Sequence, residues 1–184
     1  MPRSAIPPAL RKRAAKIKVV LMDVDGTLTD GSVTLLSQPD GSALEIKTFD
    51  AHDGQGISLG RTAGLRMGVI TGRESPALRR RMQELNVEFV YEKQPHKIAA
   101  YEEILRKAMV REEEVAFLGD DLPDLTVMRR VGLAVAVGNA APEVKKAAHY
   151  TTARHGGRGA ARELVEVILK SKGLWAEMID KARA

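Results

Sequence analysis

Residues 19–31 read VVLMDVDGTLTDG, four apolar positions followed closely by three aspartates. The unbroken, β-branched run at 19–22 has the character of a strand buried on both faces. Asp23 and Asp25 come straight after it, two positions apart. In an extended chain such side chains lean the same way, so two like charges meet at the mouth of the strand. Either something positive joins them or the run is only an Asp-Gly turn. The rest of the sequence has to decide between the two.

Further short apolar runs follow: RMGVI at 66–70, EFVY at 88–91, EVAFLG at 114–119 and GLAVAV at 132–137. Helical patterns separate them. ESPALRRRMQELN offers Ser75 as N-cap and Pro76 at the first helical position, with Leu78, Met82 and Leu85 on one face. PHKIAAYEEILRKAM repeats the scheme with Ile98, Tyr101, Ile104 and Leu105. Strands alternating with helices predict βαβ units around a parallel sheet, an α/β open sandwich. One segment breaks the alternation: SVTLLSQPDGSALEIKTFD reads as a β-hairpin at about 32–49, turning at Pro39-Asp40-Gly41 and too short to be a cap domain.

With 184 residues, 44% of them hydrophobic, the chain suits one domain with a full core. It has no cysteine, which excludes disulfides and thiolate metal sites. No apolar run reaches the length of a membrane span or the core of a secretory signal, so a cytoplasmic protein without a membrane partner is expected. The net charge is +5, yet residues 1–18 alone carry six basic residues and no acid. The basicity belongs to the tail, and no nucleic-acid partner is expected. The expected division is a basic, disordered tail over 1–16, a domain over 17–172 and a C-terminal tail over 173–184, which starts at a helix stop at Gly173.

In open α/β sheets ligands bind beyond the carboxyl ends of the strands. Residues at those ends are Asp23 and Asp25, then Thr71, Gly72 and Arg73, then Lys97 at a helix start, then GDDLPD with Asp120, Asp121 and Asp124. Carboxylates converging without cysteine or clustered histidine describe a hard-cation site of the Mg²⁺ kind. Such a cation would be the positive partner of the opening pair. The Thr71 hydroxyl, the Gly72 N–H and the Lys97 ammonium suit phosphate. A carboxylate so placed can attack phosphorus, and its neighbour two residues on can move the proton.

The ordered set DVDGTLTDG, VITGR, Lys97 in QPHKIAAYEEIL and GDDLPD resembles the four motifs of the haloacid dehalogenase (HAD) superfamily of phosphatases. The resemblance implies a HAD-like Rossmannoid three-layer sandwich. It makes Asp23 the nucleophile and Asp25 the general acid/base, and gives Thr71 and Lys97 phosphate-binding roles. It makes Asp120 a Mg²⁺ ligand beside Asp23 and the backbone carbonyl of Asp25, supported by Asp121 or Asp124. Only the hairpin and one helix separate the first two motifs, so no cap domain is expected. Over most of its length the chain is similar to the capless family of 3-deoxy-D-manno-octulosonate 8-phosphate phosphatases. That implies a homotetramer in which neighbouring subunits supply the lid, and it implies that Arg73 and Arg158 bind the carboxylate of the sugar acid. Phosphatases of nine-carbon keto-sugar acids tend to carry an acidic residue at both positions. A nine-carbon sugar 9-phosphate, or a broad range of sugar phosphates, is the alternative substrate. An inactive HAD-like scaffold is the alternative from another class, and the intact motifs argue against it.

Overall fold

In the computed structural model, which describes residues 6–181, the run at 19–22 forms strand β1 (Val19–Met22), buried throughout. A hairpin of β2 (Thr34–Ser37) and β3 (Ala43–Ile46) follows, then β4 (Arg66–Ile70), β5 (Phe89–Tyr91), β6 (Val115–Gly119), β7 (Leu133–Ala136) and β8 (Tyr150–Thr151). Helix α1 (Pro8–Ala14) precedes β1, and α2 (Ala51–Thr62) joins the hairpin to β4. The later strands are linked in turn by α3 (Pro76–Glu84), α4 (Ile98–Ala108), α5 (Leu125–Met128) and α6 (Pro142–Ala147). The described chain ends with α7 (Ala160–Ser171) and α8 (Trp175–Lys181).

Six strands form one parallel sheet in the order β5-β4-β1-β6-β7-β8. From β1 the chain steps outward to β4 and β5, then returns past β1 to β6 and continues to β7 and β8. The strand order therefore reverses around β1, and the crevice at such a reversal is where an open sheet binds ligands. Helices α1 and α2 pack with α7, and α4 and α6 pack with α5, so the sheet lies between helical layers. The start of α3 follows the sequence reading, whereas α4 begins after Lys97 with no side-chain cap. The Ser75 side chain accepts from the Leu78 N–H with Pro76 in the first turn, and Leu78 and Met82 are buried. In α4, Tyr101 and Ile104 are buried, with Ile98 and Leu105 packed against the core.

The hairpin turns at Gly41 (φ +82°), where its N–H donates to the Gln38 carbonyl at 3.0 Å. It forms a separate two-stranded sheet. No cap domain stands among the described residues: only the hairpin and α2 lie between β1 and β4, and only α3 between β4 and β5.

The expectation of a disordered tail over 1–16 fails from residue 8 onward, while residues 1–5 lie outside the described residues. Leu10 and Ala14, four apart, are buried against the core on α1, and Pro7 fixes the entry to that helix. The Arg13 guanidinium donates to the Gly132 carbonyl at 2.8 Å and Lys172 to the Ala15 carbonyl at 2.9 Å. A basic face toward solvent thus masks an apolar stripe toward α7. At the other end, Gly173 (φ +75°) follows α7. Helix α8 buries Met178, and the Trp175 ring is faced by Arg162 and Lys170 at 5.5 and 4.8 Å from its centroid.

Candidate functional site

Asp23 leaves the end of β1, its N–H donating to the Leu118 carbonyl of β6 at 2.9 Å. This bond fixes it beside the end of the neighbouring strand, from which Asp120 and Asp124 come. The chain then turns at Gly26 (φ +92°), where a Cβ would stand 2.1 Å from Asp120 Oδ2. Only glycine allows that approach. Thr27, one residue on, donates its hydroxyl to Asp120 Oδ1 at 2.8 Å. The loop 156–159 lies against the same turn: the Gly157 N–H donates to the Thr27 carbonyl at 2.9 Å, and a Cβ at Gly156 would sit 1.8 Å from the Gly26 oxygen.

Lys97, immediately before α4, reaches into the crevice and is 4% exposed. Its ammonium pairs with Asp23 Oδ1 and with Asp124 Oδ1, the latter at 2.6 Å. The second Asp124 oxygen accepts from the Asp120 and Asp121 N–H groups at 2.9 and 3.3 Å, so the carboxylate braces the turn that carries Asp120. Asp121 itself turns away to accept from the Leu122 N–H at 2.8 Å, as the cap of a short 3₁₀ turn.

Asp23, Asp120 and Asp124 each offer an oxygen within 4.8 Å of the others. Burial pushes the Asp23 carboxyl up to about 7, against the pull of Lys97 and with Asp124 adding to the rise. Burial likewise lifts Asp120 to about 6, opposed by the Thr27 hydroxyl. Burial disfavours the Lys97 charge, but the two carboxylates outweigh it and hold the ammonium above its ordinary pKa. One ammonium among three crowded carboxylates leaves negative charge uncompensated. An all-oxygen donor set in that state fits a small hard dication such as Mg²⁺.

The opening pair is divided rather than joined. Whereas Asp23 faces Lys97, the Asp25 carboxylate faces Lys47, which ends the hairpin and pairs with Asp25 Oδ1. The Thr71 hydroxyl donates to Asp25 Oδ2 at 3.5 Å and accepts from the Arg73 N–H at 3.2 Å. The positive partners visible among the described residues are therefore two lysines, with a cation needed only on the Asp23 side. Gly72 is exposed beside Thr71. The guanidinium of Arg73 pairs with Glu45 of β3, and that of Arg158 lies exposed, 3.6 Å from Asp30. Sequence reasoning passed over Glu45 and Lys47. Their signal was opposite charges at i and i+2 in a strand, alternating with Leu44 and Ile46.

A switch-point crevice with two strand-end aspartates, a buried lysine and a second carboxylate pair on the neighbouring strand defines a HAD-type hydrolase. A family model of haloacid dehalogenase-like hydrolases matches residues 80–164. The 3-deoxy-D-manno-octulosonate 8-phosphate phosphatase KdsC of Yersinia pestis is 40% identical over 158 residues, covering 86% of this chain and 82% of that one. The chain belongs to this phosphatase family. Two solved structures extend the likeness. A probable YrbI family phosphatase from Pseudomonas syringae superposes with TM-score 0.90 at 41% identity, over 97% of this chain and 99% of that one. The Moraxella catarrhalis phosphatase, solved with magnesium, phosphate and KDO, gives 0.88 at 33% identity, over 94% and 97%.

Proposed function

We propose that the protein is a Mg²⁺-dependent cytoplasmic phosphatase hydrolysing 3-deoxy-D-manno-octulosonate 8-phosphate to the free sugar acid and inorganic phosphate. The observation that carries this reading is the buried Asp23–Lys97–Asp124 arrangement beside Asp120, in a chain 40% identical to a phosphatase of that name. Asp23, Asp120 and the backbone carbonyl of Asp25 would hold Mg²⁺, with Asp124 in support, while Asp121 caps the 3₁₀ turn instead. When bound, the ion neutralises charge that gathers on the phosphoryl oxygens.

The Thr71 hydroxyl, the Gly72 N–H and Lys97 hold the phosphoryl group in line with Asp23. An Asp23 oxygen attacks phosphorus, the bond from phosphorus to the sugar oxygen breaks, and Asp25 gives that oxygen its proton. Asp25, now anionic, takes a proton from water. The water oxygen attacks the aspartyl-phosphate, releasing phosphate and restoring Asp23. Arg73 and Arg158 receive the sugar carboxylate, with Arg73 exchanging Glu45 for it. The functional test is phosphate release from this sugar phosphate against a nine-carbon keto-sugar acid 9-phosphate.

A homotetramer with lids from neighbouring subunits belongs to the same reading. The pairing of β2 with β3 puts Leu36 opposite Leu44 and Ile46 opposite Thr34, all on one face of the hairpin. Leu36, Leu44 and Ile46 are each about half exposed, at 52, 55 and 48%. A lone two-stranded hairpin is marginal in water, and an apolar patch of this kind marks an association surface. Static light scattering should return four times the chain mass of 20.1 kDa. An active monomer would contradict the tetramer.

A further inference from the structure

Lys47 is the one lysine other than Lys97 whose side chain is 4% exposed in the ion pairs around the site. An ammonium on a flexible four-carbon stem loses solvation and rotamer freedom when buried, so its placement calls for compensation on several sides. The surroundings supply it. Its Nζ pairs with Asp25 Oδ1 and lies 3.6 Å from Glu45 Oε1, and the same Glu45 oxygen accepts from Arg73. Arg73, Glu45, Lys47 and Asp25 form a continuous chain of alternating charge from the second strand-end motif, through the hairpin, to the first. The strand register explains the route. Alternation along β3 sends Glu45 toward the body of the protein while Leu44 and Ile46 stay on the outer face.

We propose that Lys47 is the positioning residue for Asp25, holding Oδ1 so that Oδ2 is the oxygen that carries the proton to the leaving sugar. This rests on the reading of Asp25 as general acid/base. Of the two Asp25 oxygens, Oδ1 is taken by an ammonium, which cannot accept a proton from it. The other, Oδ2, faces the hydroxyl of Thr71, the group placed on the phosphoryl oxygens. Fixing one carboxylate oxygen by a part-buried ion pair fixes the plane of the carboxyl group, so the other oxygen stays on the side of Thr71, toward the phosphoryl group that Thr71 holds in the proposed reading. Misplacing a proton donor by even about 1 Å is costly, on the order of a hundredfold in rate. The lysine itself touches neither phosphate nor sugar in this arrangement.

The consequence depends on the leaving group. A sugar alkoxide must be protonated as it leaves, whereas 4-nitrophenolate leaves without a proton. Replacing Lys47 by methionine keeps the stem and removes the charge. In K47M, kcat/KM for the sugar phosphate should fall about a hundredfold, while kcat/KM for 4-nitrophenyl phosphate should fall less than about fivefold. K47R, which keeps a donor for Oδ1, should recover most of the loss on the sugar phosphate. D25N measured alongside should show the same selective loss, and D23N should lose both substrates. Equal losses on the two esters in K47M, or no loss, with D25N selective, would overturn the role of Lys47 alone. A non-selective D25N would overturn the reading of Asp25 and the lysine's role with it. Should K47M fail to fold by circular dichroism, K47Q reads the same ratio of esters, because it removes the charge and leaves the Arg73–Glu45 pair in place. A selective loss supports the proposal, and an unchanged ratio overturns it.

Discussion

Asp23→Asn should abolish turnover on every phosphomonoester, by about 10⁴-fold or more, while leaving the fold intact. The amide is nearly the same shape as the carboxylate but cannot attack phosphorus. The folded state should tolerate the change. Lys97 keeps Asp124 at 2.6 Å, so no buried ammonium is left alone. The replaced carboxylate is one whose burial pushes its pKa up to about 7, which marks a charge that the fold accommodates poorly. The melting temperature of D23N should therefore equal or exceed that of the wild type. Phosphate release and differential scanning fluorimetry on the same preparation check both halves. Activity within tenfold of wild type would remove Asp23 from the chemistry.

Removing the metal should have an effect of similar size. With Asp23, Asp120 and Asp124 crowded around one ammonium, the site without a cation lacks the charge needed to draw in a phosphate dianion. Treatment with EDTA should lower turnover by about a thousandfold or more, and added Mg²⁺ should restore it. A second readout does not depend on catalysis. A ligand at about a hundred times its Kd stabilises the folded state by about 2.7 kcal/mol, which for a chain of this size raises Tm by about 5–10 °C. That shift should appear for the wild type on titration with Mg²⁺. It should be largely lost in Asp120→Asn, whose side chain is held by the Thr27 hydroxyl at 2.8 Å and would be left to bind weakly. A wild-type Tm indifferent to Mg²⁺, with activity surviving EDTA, would contradict a metal site at these carboxylates.

Much of this arrangement is legible in the sequence because short-range physics sets it. A continuous apolar run predicts a doubly buried strand, and β1, β4, β6 and β7 are the strands so built. Residues just past their ends face the crevice by construction, which is why Asp23, Thr71 and Asp120 could be picked out from their positions. Where the sequence is silent, the deciding contact is distant or the signal is masked. The two residues of β8 are too short to show a period. Buried Leu10 and Ala14 are hidden among basic neighbours. Asp121 and Asp124 look alike in GDDLPD, and only the 3₁₀ turn between them sends one outward as a cap and the other in to Lys97. Lys47 stands 22 positions from Asp25, and no pattern along a single element can pair them.

The sequence also posed the opening pair as a repulsion that one cation would settle. In the folded chain each aspartate has its own lysine, Lys97 for Asp23 and Lys47 for Asp25, and a cation is still needed on the Asp23 side, where Asp120 and Asp124 crowd in. Equal neighbours in sequence thereby enter different surroundings. Asp23 lies with Lys97 in the metal-fitting cluster, and Asp25 lies with Lys47 and the Thr71 hydroxyl.

The most direct test is steady-state phosphate release by the purified protein with Mg²⁺ from 3-deoxy-D-manno-octulosonate 8-phosphate and from a nine-carbon keto-sugar acid 9-phosphate. The eight-carbon substrate should be turned over with kcat/KM at least about tenfold higher. Absence of phosphate from the eight-carbon substrate, or a preference for the nine-carbon one, would contradict the proposed activity.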